Sequence, residues 1–173
     1  MSYLPTPAAM RPLPKLAIVL GVAGLIPFVA GGIAAASNTD DTQALLALRG
    51  LIAYGAVILA FLGGVHWGLV LAGRPPSGTA TATRREHSRL VAGVLPSLVG
   101  WAALLVSLVG LQLVALAILL LGFVAVTLAE AELRRRGLFP PGYMWLRLGL
   151  SVVVVLTLGT VLTLRLIGAH III

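Results

Sequence analysis

No cysteine occurs among the 173 residues of this chain. Disulfides, thiolate metal sites, iron–sulfur clusters and thiol nucleophiles are therefore excluded, and the redox compartment leaves no trace. Charge is equally sparse. Charged residues make up 10% of the chain against 60% apolar, and the mean hydropathy is +1.09, so polar side chains are too few to coat a soluble core. Those present gather in short stretches between long apolar runs. The sequence also has no carboxylate pair for acid–base work, no Ser/His/Asp set, no phosphate loop and no zinc spacing. We therefore expect neither an enzyme nor a metal site.

The apolar runs carry the positive signal. A helix needs roughly 20 apolar residues to cross a bilayer core. Five runs of that order, bounded by charge or by Gly and Pro, lie at about 16–36, 51–72, 90–109, 111–129 and 146–167. They predict an all-α polytopic membrane bundle of five transmembrane helices, forming a single transmembrane domain over 1–173, with the lipid bilayer as its solvent. Only Gly110 and Gln112 interrupt the third and fourth runs, which predicts a tight helical hairpin. The stretch 73–88, with Pro75, Pro76, Ser77, Gly78 and alternating Thr and Ala, reads as a flexible inner loop.

A net charge of +7 could suggest nucleic acid, but the basic residues sit at the ends of runs with few aromatics between them. They are topology signals, and no nucleic-acid partner is expected. Under five crossings, Arg11, Lys15, Arg74, Arg84, Arg85, Arg89, Arg134, Arg135, Arg136 and Arg147 share one side, and only Arg49 and Arg165 fall on the other. The positive-inside rule then predicts the N-terminus inside and the C-terminus outside. Asp40 and Asp41 fall in the first outer loop, within reach of Arg49. A signal peptide ending near Ala34-Ala35-Ala36-Ser37 is the competing account of the first run. Its apolar stretch of about 21 residues, with Pro27 in the middle, exceeds the 7–15 of a signal core.

The second run is the most informative. Ala56, Ala60, Gly64, Gly68 and Ala72 recur every four residues, a small-residue stripe that admits another backbone. His66 points about 160° away from Gly64 at 100° per residue, and Gly63 lies 60° from His66. Small residues on opposite faces predict a helix packed on both sides, at the centre of the bundle; homodimerisation through the stripe is the alternative. His66 is also the one titratable side chain well inside an apolar run, roughly 9 Å from its inner end at 1.5 Å per residue. Glu130, Arg147, Ser97 and Ser151 belong to the same inner layer.

Two readings of that layer compete. In the structural one, His66 bonds a neighbouring helix, Glu130 pairs with Arg147, and Ser97 satisfies the carbonyl that Pro96 releases. In the functional one, His66 and Glu130 form a proton site or polar pocket open to the inner side. Bis-histidine haem fails on depth, because His87 and His170 lie at opposite ends of the bundle, and no cofactor is expected. Pro27 and Pro96 predict bends in the first and third helices. Arg134, Arg135 and Arg136 read as a topology anchor, with acidic lipid head groups as a second role. Tyr143, Trp145 and Trp67 fit an inner aromatic belt, and Trp101 reads as packing.

The run Tyr54-Gly55-Ala56-Val57-Ile58-Leu59, followed by Phe61-Leu62-Gly63-Gly64-Val65-His66-Trp67-Gly68, resembles the signature of domain-of-unknown-function family 3429, the transmembrane protein 69-like small membrane proteins. Gly24-Leu25-Ile26-Pro27-Phe28, Leu95-Pro96-Ser97-Leu98, and Pro141, Tyr143, Leu146 and Arg147 extend the likeness over nearly the whole chain. One departure is Gly142-Tyr143, where the family tends to a Trp-Tyr pair, which puts the aromatic belt there in doubt. The resemblance implies a compact five-helix bundle in a bacterial inner membrane or an organelle membrane, and implies no activity. Taken together, these features predict a non-enzymatic accessory or assembly component that packs with other membrane proteins. A small transporter or proton-coupled carrier is the alternative reading, and an intramembrane enzyme the third.

Overall fold

The computed structural model of the chain describes residues 15–37, 40–71, 80–135 and 141–171, all but a few turn residues of them helical, with no strand among the described residues. The helices are α1 (Lys15–Ala23), α2 (Ile26–Ser37), α3 (Asp41–Leu71), α4 (Ala80–Leu108), α5 (Gln112–Arg135) and α6 (Pro141–Ile171). Four spans are long and apolar enough to cross a membrane: Lys15–Ser37, Asp41–Val65, Gln112–Glu132 and Trp145–Gly168. The apolar part of α4, Gly93–Leu108, is shorter. Helix is the form such segments must take, since in hydrocarbon each backbone polar group needs a partner within its own segment.

Several boundaries move from those predicted, each for a local reason. Asp40 Oδ1 accepts the backbone N–H groups of Thr42 at 2.8 Å and Gln43 at 3.2 Å. This N-cap starts α3 at Asp41, ten residues before the apolar run. Asp40 is thus a cap, and Arg49 sits exposed on the helix instead of facing a loop. Residues 80–88 are helical, which corrects that part of the predicted flexible loop; the rest of the loop lies outside the described residues. Helix-forming Ala, Arg and Glu carry α4 back past its apolar run and α5 forward to Arg135. Pro141 opens α6, at the position where a missing N–H costs nothing.

The two internal prolines behave differently. Pro96 sits inside an uninterrupted α4. At Pro27 the first run divides into α1 and α2 through a turn at Gly24–Leu25, where Leu25 N–H bonds the Val22 carbonyl at 3.0 Å in a tightened turn. Pro27 has no N–H for the Ala23 carbonyl. Across the break, the Tyr54 hydroxyl donates to the Gly24 carbonyl at 2.8 Å.

The predicted α4–α5 hairpin is present in detail. Gly110 takes φ +89°, with its N–H on Ser107 O at 3.1 Å and the Leu111 N–H on Val106 O at 3.2 Å. These two bonds form a Schellman cap, which needs the left-handed conformation that glycine adopts freely. Buried Ser107 and Gln112 lock the turn: Ser107 Oγ donates to Gln112 Oε1 at 2.6 Å, and Gln112 Nε2 to Ser107 O at 3.0 Å.

Around the bundle, α2 packs on α3, α3 on α4, α4 on α5, α5 on α6 and α6 back on α2, with α3 also meeting α5 across the middle. Facing pairs fix the directions. Ala56 opposes Gly100 and Gly63 opposes Gly93, so α3 and α4 are antiparallel; Gly55 meets Leu119 and Leu59 meets Gly122, so α3 and α5 are parallel. The core gathers Phe28, Ile52, Leu59, Leu116, Phe123 and Leu158. Phe28 sits edge-on to Tyr54 at 5.1 Å and to Phe123 at 5.8 Å, a favoured aromatic geometry. Outside the core the chain is coated with hydrocarbon: Leu46, Phe61, Leu108 and Leu121 are each 67–78% exposed, a surface that suits lipid and not water.

Candidate functional site

Two features concentrate the polar and close-packing chemistry: an ion pair between α5 and α6, and the seam between α3 and α4. Glu130 is buried near the end of α5. Arg147, two turns into α6, brings Nε to 3.0 Å from Glu130 Oε2, and its Nη2 donates to Oε1 at 3.1 Å. The two side chains are only 6% and 11% exposed. Such a pair is stable only because each charge satisfies the other, since a lone ion there would meet the full cost of desolvation. Ser151, one turn beyond Arg147, is also buried.

Of the predicted inner layer, the structure therefore joins Glu130 to Arg147 and sets Ser151 on the same α6 face. Ser97 is half-buried on α4. His66 belongs to α3, and its side chain lies outside the described residues. The level of its backbone follows from the helix register. The facing pairs Gly55 with Leu119 and Leu59 with Gly122 differ by 64 and 63 positions, and two parallel helices rise equally. Glu130 thus sits at the level of residues 66 and 67. The side chains of Arg134 and Arg135, and the whole of Arg136 and Ala72, are outside the described residues.

The seam follows a different line from the predicted stripe. A Cβ on Gly63 would overlap the Gly93 carbonyl oxygen, and one on Gly100 would come to 2.8 Å from the Ala56 carbonyl oxygen. These backbones touch because no side chain stands between them. Gly64 and Gly68, by contrast, have nothing within 4 Å of an added Cβ. The reason is angular: a four-residue step drifts 40° round a helix, whereas seven residues bring Gly63 to within 20° of Ala56. Ala56 and Gly63 thus share the face that meets α4, Ala60 is half-buried, and Gly64 and Gly68 turn outward. Trp67 extends the seam, donating Nε1–H to the Leu90 carbonyl at 3.0 Å. Trp101, expected to pack, is 59% exposed, because α4 turns its small residues Gly93, Gly100 and Ala103 inward and residue 101 falls 100° beyond Gly100.

Two contacts had little warning in the sequence. Tyr54 is a polar group near the start of the second run, which is the available signal for its bond to Gly24. Arg165, counted only as an outer charge, donates Nη2–H to the Ala35 carbonyl at 2.6 Å. It thereby caps the last turn of α2, where carbonyls lack helical partners and a cation is favoured.

Transmembrane protein 69 of Xenopus tropicalis is 36% identical over 97 residues, covering 56% of this chain and 35% of that protein. Transmembrane protein 69 of Mus musculus is 38% identical over 94 residues, covering 54% and 35%. The chain thus spans about a third of the length of these relatives. No solved structure matches. The family model described as "Protein of unknown function (DUF3429)" matches residues 13–163, from just before α1 to well within α6, and the chain belongs to that family.

Proposed function

We propose that this chain is a five-crossing membrane bundle, N-terminus inside and C-terminus outside, that acts without catalysis as an accessory or assembly component by packing against other membrane proteins. Support for the fifth crossing comes from α4: with α3 and α5 parallel, the chain between them has to return through the full height of the bundle. Support for the orientation is the excess of Lys and Arg on one side. A bacterial inner membrane or an organelle membrane is the setting we propose.

The observation that carries the functional reading is the Glu130–Arg147 pair. Its buried charge is spent joining α5 to α6, whereas a carrier needs a carboxylate that exchanges protons or substrate. Extraction in a mild detergent, followed by identification of co-purifying proteins, tests the proposal. A reproducible stoichiometric complex is expected. A lone, well-folded species that moves protons or solute in liposomes would overturn it.

One observation favours a carrier as the second reading: the α3–α5 register brings residue 66 level with Glu130. Replacing His66 by Ala and by Gln, with flux in liposomes and thermal stability in detergent measured together, separates the two. Flux lost at unchanged stability selects the carrier; stability lost with no flux in the parent selects the structural role.

A further inference from the structure

The first crossing is built as two unequal halves. Phe28, Gly32 and Ala35 of α2 are buried, and α2 packs on both α3 and α6. No residue of α1 is buried, and its packing is mainly on α6, where a Cβ on Gly21 would lie 3.1 Å from Leu150. The halves meet at a turn weakened by Pro27, which cannot donate to the Ala23 carbonyl. The Tyr54 hydroxyl closes the joint on the Gly24 carbonyl, while its ring is held independently against Phe28.

From this asymmetry we propose that residues 15–23 form a flap hinged at Gly24–Leu25 and latched by the Tyr54 hydroxyl. Closed, the flap covers the α6 face at Leu146 and Leu150, the immediate neighbours of Arg147 and Ser151. Open, it admits the inner leaflet to that face. The motion needs no repacking of the core, because α1 contributes nothing to it. α2 stays in place, fixed by Phe28 and by the close approach of Gly32 to Thr157. This inference is independent of the accessory role proposed above.

The absence of cysteine makes spin-label pairs a direct test. Val19→Cys on α1 with Leu98→Cys on α4 reports the flap, and Ile33→Cys on α2 with Leu108→Cys on α4 serves as control; all four positions are exposed. Tyr54→Phe keeps the ring and removes only the hydrogen bond. The ratio of open to closed distances for the flap pair is expected to rise roughly 2- to 12-fold, the range for loss of one net hydrogen bond, with the control pair unchanged. A single flap distance identical in both proteins, or an equal change in the control, overturns the proposal. Amide hydrogen exchange of the unsubstituted chain in detergent is the second measurement. Faster exchange of the joint amide Leu25, whose N–H bonds the Val22 carbonyl, than of amides within 29–36 supports the hinge, and equal protection at Leu25 overturns it.

Discussion

Arg147 Nε lies 3.0 Å from Glu130 Oε2, so the end of α5 and the start of α6 are joined by opposite charges on two largely buried side chains. Removing one partner strands the other. Glu130→Leu or Arg147→Met alone should destabilise the bundle by about 3–5 kcal/mol, and the double variant Glu130→Leu/Arg147→Met by clearly less than the sum. Unfolding in mixed micelles, run as a double-mutant cycle, checks this.

Adjacent glycines on α3 should respond oppositely. Gly63→Ala pushes a methyl into the Gly93 carbonyl and should cost roughly 1–3 kcal/mol by forcing α3 from α4. Gly64→Ala meets open space and should be neutral or stabilising by about 0.5–1 kcal/mol through helix propensity. Thermal denaturation of the two variants in detergent reads the contrast.

At the hairpin, Gly110→Ala imposes a side chain on φ +89° and should cost about 1–2 kcal/mol. Gly110→Asn should recover part of that loss, since Asn tolerates the left-handed region. Comparing their melting temperatures with the parent distinguishes backbone strain from lost contacts, because an added Cβ there touches nothing.

On the opposite end from Glu130, Arg165→Met keeps the apolar stem and deletes the cap on Ala35. A loss of about 1 kcal/mol is expected, with faster amide exchange confined to the last turn of α2. Exchange that rises evenly along α2 and α6 would instead mean that the stem, not the guanidinium, matters.

The sequence made some of these features legible and hid others. The hairpin could be read at Gly110 and Gln112 because two polar or flexible residues between apolar runs leave a single local solution. The Glu130–Arg147 pair could be read as one of two options, since Glu130 closes the fourth run and Arg147 opens the fifth. The seam could be read only in part: Ala56 and Gly63 meet α4, whereas Gly64 and Gly68 of the stripe do not. Spacing puts small residues every four positions, but contact follows the face that α3 turns toward α4, and that rotation selects Gly63 over Gly64, 100° away round the helix. Arg165 was opaque for a similar reason: its partner is a backbone carbonyl 130 residues away, which carries no residue-type signal.

By itself the sequence determined the solvent, the helical form and the hairpin at Gly110, because hydrocarbon obliges each apolar run to satisfy its own backbone and polar or flexible residues mark where it can leave. Tertiary structure alone decided which glycine faces a neighbour, that Tyr54 bridges the break at Gly24, and that Arg165 closes α2. Those outcomes depend on the rotation and offset of one helix against another, to which residue spacing along a single helix is blind.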